Sequence, residues 1–284
     1  MDQTLRITTI QSHLIWEDKA ANLAMFEKKI MGIREKTEIV VLPEMFSTGF
    51  SMEPQRLAET MDGPSVQWMR RIASEKKIIL TGSLIIADDT GDTPPRYYNR
   101  LIWMLPNGQY GFYDKRHRFA YAGEDKMFTS GNKRLIASVK GWKINLLICY
   151  DLRFPVWARQ STLSSASSNG ACPEYDVLIY VANWPDKRSH AWRTLLQARA
   201  IENQCYTVGV NRIGSDGNQI QYIGDTMVVD PLGEVLYQKK EEDHVNTITL
   251  DKAHLNTIRE RFPFWRDADY FQVLNEDLDE TPES

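Results

Sequence analysis

Apolar runs and helical patterns alternate through the first third of the chain. Leu5 to Ile10 alternates and is rich in β-branched residues, which predicts a strand, and about Asp18 through Ile33 predicts a helix with Ala24, Ile30 and Met31 as apolar positions. Glu38 to Leu42 is a second strand with almost no polar residue, as expected of one buried on both faces, and Pro43 ends it immediately before Glu44. Met61 to Lys77 carries Pro64, Val66, Trp68, Met69 and Ile72 at helical spacing, and Lys77 to Ile86 is again a strongly apolar strand.

From Tyr97 the pattern changes. Asn99 to Leu105, the turn Pro106-Asn107-Gly108 and Tyr110 to Tyr113 predict a hairpin ending at Lys115; Arg134 to Val139, Lys140-Gly141-Trp142 and Lys143 to Cys149 predict a second. Antiparallel pairs within an otherwise alternating chain indicate α+β character. A helix after Pro155 runs into Ser161 to Pro173, where five serines and Asn169-Gly170 indicate a flexible surface loop and not a domain linker. Tyr175 to Ala182 is a buried strand, Ala191 to Gln204 a helix with Trp192, Leu195, Leu196, Ala198 and Ile201 as its apolar set, and Cys205 to Val210 the strand it feeds.

Tyr222 to Asp230, the turn Pro231-Leu232-Gly233 and Glu234 to Lys239 repeat the first hairpin in kind. Both end on a lysine, which hints at an internal two-fold. The strand Val245 to Leu250 and the helix Ala253 to Arg261 follow, so residues 1–271 read as one domain and 272–284 as a loose acidic tail.

The stretch Leu-Leu-Ile-Cys-Tyr-Asp-Leu-Arg-Phe-Pro places Cys149 where an apolar strand gives way to a helix. A helix N-terminus aimed back at that position would favour thiolate over thiol, as a nucleophile requires. A plain core cysteine is the other reading of the same letters, and partners elsewhere must decide between them. Glu44 and Lys115 also end strands, where ligands of layered α/β folds collect. Taken singly, Glu44 reads equally as a charge at a helix start, and Lys115 as a solvated lysine beside Arg116 and Arg118.

Composition excludes several function classes. The chain has 284 residues, 42% hydrophobic and 25% charged, with a net charge of -4, as expected of a soluble globular protein with no role in nucleic-acid binding. No apolar run reaches the length of a bilayer span and the N-terminus lacks a signal-peptide core, which predicts a cytoplasmic protein without a membrane partner. Three cysteines (Cys149, Cys172, Cys205) have no paired spacing for zinc or a disulfide framework, and the five histidines form no local ligand pair. Neither metal nor cofactor is implied.

The motifs Val-Leu-Pro-Glu-Met-Phe at Glu44, Tyr-Asp-Lys-Arg-His at Lys115 and Ile-Cys-Tyr-Asp-Leu-Arg-Phe-Pro at Cys149 stand in the order of one family. The sequence resembles the carbon–nitrogen hydrolase (nitrilase) family from about Ile7 to Phe271. The resemblance implies a four-layer α-β-β-α sandwich with two mixed β-sheets face to face, and a Glu-Lys-Cys triad working through a thioester. On that basis Glu44 is the general base, Lys115 stabilises the oxyanion with the backbone N–H of Tyr150, and Cys149 is the nucleophile. A second family glutamate falls at Glu124, with Asp125 as its neighbour and a surface acidic pair as the plain alternative; its expected role is to orient Lys115 or the attacking water. Trp184 and Phe119 match pocket-lining positions, although large aromatics also fill cores. Homodimers or larger assemblies are common in the family and are expected here.

The combination of Glu-Met-Phe, Cys-Tyr-Asp-Leu-Arg-Phe-Pro and Ala-Asn-Trp-Pro looks most like the omega-amidases, which hydrolyse the terminal amide of short dicarboxylic monoamides such as 2-oxoglutaramate. Such a small-molecule substrate needs a cation for its distal carboxylate, and Arg118, Arg153, Lys187 and Arg188 are candidates. Arg153 has the alternative of pairing with Asp151. Nitrile or N-carbamoyl hydrolysis would use the same three residues, a catalytically idle binding protein would not need them intact, and a papain-like protease would need a histidine base after a strand.

Overall fold

The computed structural model describes residues 4–88, 91, 95–160, 173–269 and 271–273. Cys172, the serine-rich stretch short of Pro173 and the tail from 274 onward lie outside the described residues. The chain opens with β1 (Thr4–Gln11), α1 (Lys19–Met31), β2 (Ile39–Val41), a single turn α2 (Pro54–Leu57), α3 (Pro64–Lys76) and β3 (Ile79–Asp88). Asp18 caps α1 by accepting from the Ala21 N–H, and Pro64 opens α3, where its missing N–H costs nothing. The hairpin β4 (Arg96–Met104) and β5 (Tyr110–Asp114) is followed by the short α4 (Glu124–Met127).

A second set comprises β6 (Leu135–Val139), β7 (Trp142–Ile148), α5 (Pro155–Ala158), β8 (Val177–Val181), α6 (Ser189–Asn203) and β9 (Tyr206–Val210). It continues through β10 (Ile213–Ser215), β11 (Gln221–Val229) and β12 (Val235–Lys240), then β13 (His244–Asp251) and α7 (Lys252–Arg261). The tight turn joining β6 to β7 has Lys140 and Gly141 both at positive φ, 48° and 78°, which is the turn that matches strand twist.

The two sheets share one plan. β1, β2 and β3 run parallel, with β13 antiparallel beside β1 and the β4–β5 hairpin at the far edge. β7, β8 and β9 run parallel, with β6 antiparallel beside β7 and the β11–β12 hairpin at the far edge. The two lysine-ended hairpins therefore occupy equivalent edges, and the internal two-fold read from their letters is present in the topology. The short β10, paired with the start of β11, has no counterpart in the sequence reading.

Strand period sorts side chains into layers. In β2, Ile39 and Val41 join the apolar cluster that contains Leu146 and Ile148 of β7, whereas Val40 joins Phe26 and Ile30 of α1 and Met69 and Ile72 of α3. On the second sheet α6 lies close enough that a Cβ at Gly209 would stand 2.5 Å from Leu196 and 2.7 Å from Trp192, so only glycine fits there. Helices outside and two mixed sheets inside make the four-layer α-β-β-α sandwich.

Three sequence expectations change. On α1 the buried residues are Asn22, Phe26 and Ile30, and Ala24 and Met31 face outward; the buried amide of Asn22 holds the Ile15 and Ser47 carbonyls, which pulls that face inward. On α6 Ile201 is exposed, and Arg199 and Asn203 are buried instead. The helix after Pro155 has only four residues, preceded by a 3-10 turn over Cys149–Arg153.

Candidate active site

Strand ends deliver the reactive groups to one place. Glu44 follows β2 in an irregular turn, which rules out the reading of a charge at a helix start. Lys115 extends β5, its N–H bonded to the Asn99 carbonyl of β4 at 3.0 Å, and Cys149 leaves β7 in a left-handed conformation with φ 41°. Asn183 follows β8 in the facing sheet and crosses to Glu44: its N–H donates to Glu44 Oε2 at 2.8 Å and its Nδ2 to the Glu44 carbonyl at 2.6 Å.

At the centre stands Lys115, 1% exposed. Its Nζ is 2.8 Å from Glu44 Oε1 and 2.9 Å from each Glu124 oxygen, and both carboxylates are fully buried. Asn99 Nδ2 donates to Glu44 Oε1 at 2.8 Å and to Glu124 Oε1 at 3.2 Å, and the Phe119 N–H donates to Glu124 Oε2 at 2.5 Å. Glu124, not the exposed Asp125, is thus the acid beside Lys115, and Lys115 is no solvated lysine.

Burial opposes the positive charge of Lys115, but the Glu124 and Glu44 carboxylates overcome it and raise the pKa above the ordinary lysine value. Burial also raises the Glu124 carboxyl, against the pull of Lys115. Lys115 thus bridges the two carboxyl groups.

Burial, then the charge of Glu44, pushes the Cys149 thiol well above its ordinary range, and Lys115 opposes this only in part. The expected thiolate-favouring helix dipole is therefore absent: a four-residue helix that starts at Pro155 carries little field, and enclosure dominates. Enclosure thus favours the thiol over the thiolate, and a thiol requires a base at the moment of attack. Cys205, fully buried with its thiol pushed up to about 12 by burial, is a core cysteine.

Lys115 and Cys149 open on a cavity of about 700 Å³. Phe119, Tyr150, Arg153 and Trp184 all line it. Phe119 packs edge-on to Tyr150 at 4.9 Å, and the Arg153 guanidinium lies 5.1 Å over the Trp184 ring. Arg153 does not pair with Asp151, whose oxygens take the Tyr113 hydroxyl and His117 instead. Lys187 and Arg188 also line the cavity, whereas Arg118 is held away by the Asp125 and Phe128 carbonyls.

Sequence reasoning missed the wall contributed by the β10–β11 connection, where Asp216 accepts from the Tyr222 hydroxyl at 2.8 Å and both residues line the cavity. Gly-Ser-Asp-Gly-Asn-Gln reads only as a turn. Asn99 and Asn183 were also missed as partners; a lone amide in an apolar strand and an amide at a strand end were the available signals. Among the described residues there is no group of three metal-ligating side chains, and no helix is long and apolar enough to cross a membrane.

The carbon-nitrogen hydrolase family model matches residues 6–260. The chain is 41% identical over 270 residues to Omega-amidase YafV of Escherichia coli (strain K12), covering 95% of this chain and 98% of that one. It is 29% identical over 264 residues to 2-oxoglutaramate amidase of Bacillus subtilis, covering 92% and 96%. Among solved structures, a CN-hydrolase superfamily protein from Xanthomonas campestris with an arsenic adduct in its active site superposes with a TM-score of 0.89 at 40% identity, covering 95% and 99%. Nit3 of Saccharomyces cerevisiae, a nitrilase superfamily member, gives 0.78 at 26% identity, covering 92% and 95%. A family model spanning most of the chain, and close relatives matched over nearly their full length, establish that the chain belongs to the carbon–nitrogen hydrolase family.

Proposed function

We propose that the protein is an omega-amidase that hydrolyses the terminal amide of short dicarboxylic monoamides, of which 2-oxoglutaramate is the model substrate. The observation that carries the chemistry is the buried Lys115, clamped by Glu44 and Glu124 and lining the same cavity as Cys149. Glu44 takes the thiol proton as sulfur attacks the amide carbon; the carbonyl oxygen becomes an oxyanion facing Lys115 and the Tyr150 N–H. Collapse breaks the C–N bond, and the leaving nitrogen takes the proton from Glu44 and departs as ammonia. Water then gives a proton to Glu44 and attacks the thioester, which releases the acid and returns the proton to Cys149.

Glu124 orients Lys115 in this scheme, since both its oxygens are engaged by Lys115 and one also by Phe119 N–H. The substrate class is supported by the names of the relatives and by Arg153, Lys187 and Arg188 on the cavity wall, cations fit for a distal carboxylate. Assembly of at least two copies, supported by the family resemblance, and a cytosolic location, supported by the lack of a bilayer-length apolar run, belong to the same reading. The test is ammonia release from 2-oxoglutaramate, 2-oxosuccinamate, glutamine, a nitrile and a carbamoyl amino acid. Highest kcat/KM on a keto-acid monoamide is expected; preference for the nitrile or the carbamoyl compound would overturn the assignment.

A further inference from the structure

We propose that Asp151 and His117 form a positioning pair that sets the nucleophile turn against the lysine loop. Asp151 lies two residues after Cys149, and His117 two after Lys115, so a bond between them joins the two chain segments that carry the reacting groups. Asp151 is fully buried and accepts four hydrogen bonds. Its Oδ2 takes the Ile148 N–H at 3.0 Å and the Tyr113 hydroxyl at 2.7 Å; its Oδ1 takes the His117 N–H at 3.0 Å and, with the proton on Nδ1, the His117 ring at 2.8 Å.

The reason such a pair is needed lies in the backbone of Cys149. A residue with a Cβ at φ 41° is strained, and such a conformation persists only when its surroundings over-determine it. Asp151 holds the peptide N–H that precedes Cys149, and on the far side of the turn Arg199 Nη2 holds the Leu152 carbonyl at 2.6 Å. His117 is itself fixed, stacked on Phe154 at 3.8 Å with 5° between ring planes. Tyr113 completes the link, because its hydroxyl also accepts the Arg116 N–H at 3.1 Å and the Trp157 Nε1–H at 3.0 Å. A shift of the lysine loop is thereby passed to the cysteine turn through one carboxylate.

This inference rests on the proposed roles of Cys149 and Lys115, and two variants of the full chain test it. Asp151→Asn keeps the shape but sets an amide N–H against a donor; His117→Phe keeps the stack on Phe154 and loses the ring hydrogen bond. Because small misplacements of reacting groups cost roughly 10²-fold, Asp151→Asn should lower kcat by about that factor and His117→Phe by about tenfold. KM should stay within about twofold, since ground-state binding is untouched. The combined variant should be no slower than Asp151→Asn, as expected of two residues acting through one bond. Alkylation of Cys149 by iodoacetamide, followed by mass spectrometry, should change in rate in both single variants.

Wild-type kcat in both variants, losses confined to KM, or losses that multiply in the combined variant would each overturn the pair. If Asp151→Asn does not fold, His117→Phe carries the test alone, and a folded His117→Phe with wild-type kcat and alkylation rate overturns it. Absence of ammonia release by the wild type would instead sink the amidase reading, while the alkylation comparison would still judge the pair.

Discussion

Lys115 and Glu124 form a two-pronged contact, Nζ lying 2.9 Å from both carboxylate oxygens, and neither side chain is more than 1% exposed. Such a contact suits a compact ammonium. Lys115→Arg would set a planar fork where two carboxyl groups hold a compact ammonium and replace the point charge offered to an oxyanion by a delocalised one. A fall in kcat of about 10²–10³ is expected, the usual cost of one lost oxyanion donor. Lys239→Arg, at the equivalent hairpin edge and paired with Glu242 at the surface, should stay within ~0.5 kcal/mol in stability and near wild-type rate. Comparable small losses in both would show Lys115 to be outside the chemistry; melting curves exclude unfolding.

Cys149→Ala should abolish turnover, and Cys205→Ala should retain it. The Cys149 thiol also has a pH signature. Its pKa is raised in the folded chain, so above the ordinary thiol value of about 8.5 the unfolded chain releases a proton that the native state keeps. Fewer protons bound in the unfolded state make stability fall as pH rises. Cys149→Ala lacks this loss, so the melting temperature of the wild type relative to the variant should decline between pH 7 and pH 10. A constant or growing difference would mean the resting residue is already a thiolate.

Asn99→Ala removes the side-chain amide whose Nδ2 donates to both Glu44 and Glu124. The two Oε1 atoms then keep only Lys115, while the Oε2 atoms keep the Asn183 and Phe119 N–H groups. A stability loss of about 1–3 kcal/mol is expected from the unmet acceptors, together with reduced kcat. Urea denaturation and ammonia release check the two effects; an unchanged midpoint would show that water replaces the amide.

Arg153→Gln tests the distal carboxylate. A charge-assisted hydrogen bond contributes about 1.5–3 kcal/mol, so KM for a monoamide with a free carboxylate should rise by about tenfold or more with kcat little changed. The corresponding uncharged amide should show no such rise. Equal effects on both substrates would move the role to Lys187 or Arg188.

Much of the site was legible because its signals are local. Glu44, Lys115 and Cys149 each follow an apolar run, and a run of β-branched and aliphatic residues needs no distant partner to be read as a buried strand. The parallel between the two hairpins was legible for the same reason. Asn99 and Asn183 were present in the letters, but an amide becomes a partner only when something polar is brought to it.

What the sequence by itself determined was which residues end strands, and hence which side chains reach the sheet edge. What only the tertiary structure decided was their company and their charge. Glu44 is 71 residues from Lys115 and 139 from Asn183, distances spanned by the facing of two sheets and not by any local period. Cys149 shows the consequence most directly: a helix N-terminus aimed back at it would favour a thiolate, whereas enclosure and then Glu44 push the thiol well above its ordinary range. Desolvation depends on everything packed around a group, and a linear pattern carries no measure of it.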